Sequence, residues 1–206
     1  MAFQSIWYYT DLPERVVDMI TEDLSVKFDS QMGDSKLMGD ALNKDKRNSQ
    51  NAWIPTEHWL GGFIWHYISR ANRENFLYDL HCIDGESMQY TQYDVGQYYK
   101  WHSDSDLSTH YLPSTMGHRG VDVAQDFINK ECELVRKLSF VFQLSDPTEY
   151  EGGQLQLLQE DGKPYFAPAN RGTMILFDSR TKHRVLKVTK GTRRSIVGWV
   201  VGPRWK

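Results

Sequence analysis

The sequence predicts a mainly β fold with flanking helices, of the sandwich, jelly-roll or barrel kind, and three observations carry that reading. Five short strand-like runs, 138–144, 154–158, 173–177, 183–188 and 194–201, fill the C-terminal half. Turn signals separate them at Asp146-Pro147, Gly152-Gly153, Asp161-Gly162, 168–172 and Lys190-Gly191, and short strands at such regular spacing indicate a sandwich or barrel. Helical periodicity, in contrast, is concentrated in the first 75 or so residues. Finally, 13% of the residues are aromatic, with seven tryptophans, which suits β-structure around a concave, aromatic-lined interior.

Taken in order, Thr10 or Asp11 can cap a helix opening at Pro13, where Val16, Val17, Ile20 and Leu24 recur at helical spacing to about Val26. From 29 to 51 the chain is polar, with the charge cluster Lys44-Asp45-Lys46-Arg47; it reads as a solvated connector with room for one strand. A second helix starts at Pro55 and carries Trp59, Leu60, Phe63, Ile64, Tyr67 and Ile68 to near Asn72, despite Gly61-Gly62. His58 and His66 are read as ordinary helix residues, since a lone histidine without convergent partners makes no site. Strands follow at 76–80 and 88–93, on either side of a turn at Asp84-Gly85. Between 105 and 135 lies a long insert, Gly-containing first and helix-like from Asp122 to about Val135, with His110 and His118 on it. A connection of that length reads as a lid, and a mobile loop is a poor place to fix a metal.

A chain of 206 residues is expected to form a single domain over 1–206, with helical support mainly in 11–75 and a β core in about 76–206. At net charge −3 with the two signs interspersed, nothing points to nucleic acid or an anionic membrane, so small molecules or a protein are the expected partners. Cys82 and Cys132 are too few for a disulfide scaffold and fit a reducing compartment. No basic segment leads into an apolar run, so the expectation is a cytoplasmic protein.

The chemistry concentrates in 93–104. If this stretch is a strand and its exit turn, His102 and Asp104 are two residues apart and project from one face. An imidazole and a carboxylate make two thirds of a 2-His-1-carboxylate triad, which grips one face of Fe(II) and leaves the other positions open. The candidate for the distant third ligand it requires is His183. Taken alone, the pair also fits a hydrogen-bonded strand histidine and a turn aspartate. Ten residues after His183, beyond the Lys190-Gly191 turn, comes Arg193. The open ends of a hairpin lie side by side, so a metal ligand and a guanidinium can share one cavity. A guanidinium fork binds a carboxylate bidentately, and the pairing predicts a dicarboxylate with one end on the metal. Period-two alternation allows only one of Arg193 and Arg194 to enter that cavity.

Four motifs stand out: Tyr93-x-x-Gly96-Gln97-x-Tyr99-x-x-His102-x-Asp104, Arg136-Lys-Leu-Ser-Phe, the 145–155 stretch around Gly152-Gly153, and His183 with Arg193 and Trp199. Together they resemble the iron- and 2-oxoglutarate-dependent dioxygenases, in particular the prolyl 4-hydroxylase-like branch with its bacterial and phage PKHD-type hydroxylases. The resemblance covers about Tyr90 to the C-terminus. It implies a double-stranded β-helix, Fe(II) on His102, Asp104 and His183, and 2-oxoglutarate on Arg193, so that Arg193 and not Arg194 faces inward. It also implies O2 as co-reactant, ascorbate as the reductant that rescues oxidised iron, and hydroxylation of a peptidyl proline. Tyr93 resembles the tyrosine that bonds the cosubstrate, whereas Tyr99 and Trp199 resemble residues bordering the metal and substrate pocket. One departure is Gln143, which stands where some relatives place a tyrosine for the cosubstrate carboxylate.

Other functions remain compatible with the residues: an oxygenase acting on a different peptidyl residue or a small molecule, a zinc hydrolase on the same ligands, or a non-enzymatic jelly-roll binding module. A hydrolase requires a further carboxylate as general base and gives Arg193 no role. A binding module requires neither metal nor dicarboxylate.

Overall fold

In the computed structural model, residues 5–37, 42–84, 87–105 and 134–205 are described. Of the lid expected at 105–135, residues 106–133, with His110 and His118, lie outside the described residues.

The chain opens with β1 (Ile6–Tyr9) and α1 (Glu14–Phe28). Pro13 stands at the N-cap of α1 with no side-chain bond, so neither Thr10 nor Asp11 caps it; their side chains bond each other. Where a solvated connector is expected, three strands form: β2 (Gly33–Asp34), β3 (Arg47–Asn48) and β4 (Gln50–Pro55). Helix α2 runs Trp59–Ala71, and it is capped by the ring of His58, whose Nδ1 accepts from the Leu60 N–H. The chain then continues as a π-turn, Asn72–Phe76, closed by Leu77 at φ 55°. The strand expected at 76–80 is therefore replaced, and Asn72 explains why: its side-chain amide bonds both the N–H and the C=O of Tyr78, giving the backbone an alternative to a ladder.

Next come β5 (Cys82–Ile83), β6 (Ser87–Tyr93) and β7 (Tyr98–His102). Strand β8 (Leu134–Gln143) includes Val135, so that residue is strand and not the helix end expected there. The remaining strands are β9 (Glu151–Gly152), β10 (Leu155–Leu158), β11 (Pro164–Phe166), β12 (Met174–Asp178), β13 (His183–Val185), β14 (Val188–Lys190) and β15 (Arg193–Pro203).

All described pairings are antiparallel. The major sheet runs β1-β12-β8-β15-β6-β4-β2 with β5 joined to β15; the minor sheet runs β11-β10-β13-β7-β3. Alternation along the major sheet sorts its residues into two packed groups. Leu138, Phe140, Phe142, Ile196 and Val200 meet Val17, Ile20 and Leu24 of α1 and Leu60, Ile64 and Ile68 of α2, all buried. The opposite parity, with Tyr93, Val141 and Val197, packs toward Leu155, Leu157 and Val185 of the minor sheet. The helices thus seal one face, and the facing sheets form a double-stranded β-helix whose interior is left for a site. Among the described residues, no helix is long and apolar enough to cross a membrane.

Candidate metal centre

Strands β7 and β13 pair antiparallel, with His183 directly opposite His102. This register brings two distant histidines ring to ring, their centroids 4.1 Å apart. Asp104, just past β7, is drawn to the same place by the loop after β12: the N–H groups of Asp104 and Ser105 both donate to Ser179 O, at 2.9 and 3.0 Å. Ligand atoms of His102, Asp104 and His183 then lie within 4.8 Å of one another. Nε2 of His102 is 3.6 Å from Oδ1 of Asp104, and Nε2 of His183 is 3.3 Å from Oδ2.

Each donor is aimed from behind. Nδ1 of His102 lies 2.8 Å from Lys100 O, and Nδ1 of His183 lies 2.9 Å from Thr181 O. A carbonyl has no hydrogen to give, so in both rings Nδ1 donates and Nε2 faces the centre. The Ser139 hydroxyl donates to Oδ2 of Asp104 at 2.7 Å and sits 3.0 Å from the Ser179 hydroxyl. Burial, reinforced by the neighbouring His183, pushes His102 down to about 3, so it stands neutral with a free lone pair. Burial works against the ionised Asp104, yet His183 and His102 beside it hold the carboxyl well below the usual range. Burial likewise opposes a charged His183, and Asp104 overcomes it, raising the imidazole. Without metal these two share a buried ion pair; a divalent cation would displace the imidazole proton. Two neutral-capable imidazoles and one ionised carboxylate on one side of a cavity fit Fe(II) or a similar divalent metal.

The other named residues line the same cavity. Arg193, 2% exposed, faces inward, whereas Arg194 faces outward to Gln92, Tyr90 and Asp29. Nη2 of Arg193 donates to Gln143 Oε1 at 2.8 Å and Nη1 reaches Ser195 Oγ at 3.5 Å, while its buried Nε has no partner among the described residues. Tyr93 sits across the ladder from Arg193, its ring centroid 5.8 Å from the guanidinium. Tyr99 stacks on His102 at 3.5 Å, and burial raises its phenol far above the usual value. Trp199 is 9% exposed; Arg136 lies 4.0 Å over its ring, and the buried indole Nε1 has no partner among the described residues. The Gly152-Gly153 turn does more than reverse the chain. Gly153 has φ +66°, and a Cβ there would press on the Arg193 side chain.

Several functional positions escaped the sequence reading. Arg47, placed there in an exposed connector, is 6% exposed and lines the cavity. The local sign was Ser49, two residues on, whose hydroxyl Arg47 bonds at 2.9 Å. Ser139 stands inside the Arg136-Lys-Leu-Ser-Phe motif, which assigned it no role, and Ser179 carried no sequence signal.

Comparison with known proteins places this geometry. The family model described as the 2OG-Fe(II) oxygenase superfamily matches residues 88–201. A PKHD-type hydroxylase of Crocosphaera subtropica is 30% identical over 135 residues, 65% of this chain and 51% of that protein. A PKHD-type hydroxylase of Parvibaculum lavamentivorans is 43% identical over 63 residues, 31% of this chain and 28% of that protein. The matches thus span between 28% and 51% of the length of these two relatives. Among solved structures, a Pseudomonas putida prolyl-4-hydroxylase superposes with TM-score 0.68 at 17% identity, covering 98% of this chain and 94% of that one. A Trichoplax adhaerens prolyl hydroxylase, solved with a hypoxia inducible factor oxygen degradation domain peptide fragment, gives TM-score 0.70 at 17% identity, covering 95% and 83%. At that identity these two likenesses speak for the fold. The family model extends from the strand of Tyr93 through both histidines of the candidate centre to the strand of Arg193 and Trp199, and the chain belongs to the 2OG-Fe(II) oxygenase superfamily.

Proposed function

We propose that this protein is an Fe(II)- and 2-oxoglutarate-dependent dioxygenase that hydroxylates a peptidyl substrate at proline. One observation carries the reading: a buried guanidinium with only neutral described partners, Gln143 and Ser195, shares a cavity with a His-Asp-His face. A buried cation without a counter-ion is unfavourable by several kcal/mol, so the cavity calls for an anion at Arg193, and a dicarboxylate anchored at the opposite end supplies it.

When bound, Fe(II) with 2-oxoglutarate and O2 supplies the oxidation of an unactivated C–H bond. The residues of the chain do the rest. His102, Asp104 and His183 would hold the metal from one side. Arg193 would orient the cosubstrate through its free carboxylate, with Gln143 keeping the fork in plane and Tyr93 beside it. Tyr99 and Trp199 close the cavity with apolar surface and exclude water from the reacting centre. The Trp199 N–H, without a partner among the described residues, is available to a ligand oxygen. Ascorbate enters the proposal as a reductant acting on the metal from solution.

Among the described cavity residues Asp104 is the only carboxylate, so the extra general base that a hydrolase requires is missing from them and the oxygenase is preferred. Proline is supported by the fold neighbours. The test is a turnover assay with Fe(II), 2-oxoglutarate, O2 and a panel of proline-rich peptides. Release of succinate with a mass gain of one oxygen on a proline is expected. Oxygen incorporated at another residue would refute the proline assignment, and oxygen-independent hydrolysis would refute the dioxygenase.

A further inference from the structure

The cavity contains a second buried guanidinium that the proposed reaction leaves unused. Arg47 donates from Nε to Ser49 Oγ and from Nη2 to Gln89 Oε1, both at 2.9 Å, and lies 5.1 Å over the Tyr99 ring. Both of these partners, Ser49 and Gln89, are neutral. With both histidines neutral, as metal binding requires, Arg47 and Arg193 against Asp104 leave the cavity walls one positive charge in excess. A divalent metal and a dicarboxylate cancel each other, so loading the site does not remove that excess.

Position separates the two arginines. Arg193 stands across the ladder from Tyr93, while Arg47 is held by Gln89, four residues earlier on the same strand; four strand residues span roughly 13 Å. A cosubstrate with one carboxylate on the metal has only one left, and Arg193 takes it. Gln89 also lines an outer groove with Asn51 and the half-exposed Trp53. Arg47 is therefore bonded to a residue that lines both the metal pocket and the outer groove.

Building on the proposed function, we infer that Arg47 is a specificity-determining residue that binds a carboxylate of the substrate, an acidic side chain or a chain-terminal carboxylate close to the hydroxylated residue. A bidentate, desolvated pair of this kind is worth roughly ten- to a hundred-fold in affinity.

The experiment is calorimetric titration of the anaerobic Fe(II) protein, first with 2-oxoglutarate and then, at saturation, with four probes. These are an acetylated proline tetrapeptide amide with glutamate next to the proline, its glutamine counterpart, and an acetylated proline dipeptide as free acid and as amide. At least one acid is expected to bind roughly ten- to a hundred-fold tighter than its neutral counterpart, and which acid does so identifies the source of the carboxylate. Arg47→Gln should abolish that preference with 2-oxoglutarate affinity retained, and Arg47→Lys should keep part of it. If Arg47→Gln does not fold, an acid preference undiminished in Arg47→Lys overturns the inference. So do equal or absent binding of acids and neutral probes by the wild type, a preference that survives Arg47→Gln, or loss of 2-oxoglutarate binding in that variant. Failure of wild-type protein to bind 2-oxoglutarate at all would instead strike the proposed function.

Discussion

Oδ2 of Asp104 is 3.3 Å from Nε2 of His183, a residue on another strand, and the same oxygen accepts the Ser139 hydroxyl at 2.7 Å. One carboxylate oxygen thus joins the two halves of the site, and its orientation depends on a serine of the opposite sheet.

Removing Ser139 should therefore loosen the centre while leaving every ligand in place. Loss of a hydrogen bond behind a metal ligand reduces metal affinity by roughly 10–100-fold. Ser139→Ala is expected to show that loss in Fe(II) or Mn(II) titrations; an unchanged affinity would mean that the Ser179 O contacts alone set the carboxylate.

Loss of a ligand should weaken metal binding further. His102→Ala, Asp104→Ala and His183→Ala are each expected to abolish metal-dependent thermal stabilisation, which at a hundred-fold excess over Kd amounts to about 2.7 kcal/mol in the wild type. His58→Ala, which removes a helix cap and the contact of its Nε2 with Asp23, should lower stability by roughly 0.5–2 kcal/mol and leave that metal response intact.

Arg193→Ala should weaken 2-oxoglutarate by roughly ten- to a hundred-fold or more, given about 1.5–3 kcal/mol for a charge-assisted bond. Arg193→Lys retains charge without the fork and should fall in between, whereas the outward Arg194→Ala should change little. Gly153→Ala is expected to resemble a mild Arg193 defect, because its Cβ would press on the Arg193 side chain 3.2 Å away. The metal-to-ligand absorbance band of anaerobic protein reports each affinity directly.

A pH prediction concerns Asp178, which precedes the loop that carries Ser179 and Thr181. Burial opposes its charge, but bonds from Arg180 and the Tyr78 hydroxyl prevail and lower its pKa from 3.8. A carboxyl depressed in the folded state adds stability that is complete above the unfolded value and is lost as pH falls through the folded one. Denaturant unfolding of the metal-free protein should show stability declining below about pH 4. Asp178→Asn should be less stable at neutral pH and show a shallower acid decline; parallel curves would remove Asp178 from the account.

What the sequence by itself determined were the features governed by local periodicity. Two-residue spacing puts His102 and Asp104 together, helical spacing of Val17, Ile20 and Leu24 names the buried stripe of α1, and alternation makes Arg193 and Arg194 opposites. The motifs added the family and the inward choice of Arg193. Tertiary structure alone decided whatever depends on a partner far along the chain. The register of β7 against β13 sets His183 opposite His102, and the crossing of β8 beneath the site gives Asp104 its serine. Arg47 and Gln89 are 42 residues apart and meet only because β3 and β6 come together from different sheets. In the sequence Arg47 closes a charge cluster that reads as solvated, and its burial becomes visible only when Tyr99, Ser49 and Gln89 close around it. Burial of a polar side chain is decided by the partners that satisfy it, and those are assigned by strand pairing, which one-dimensional pattern does not encode.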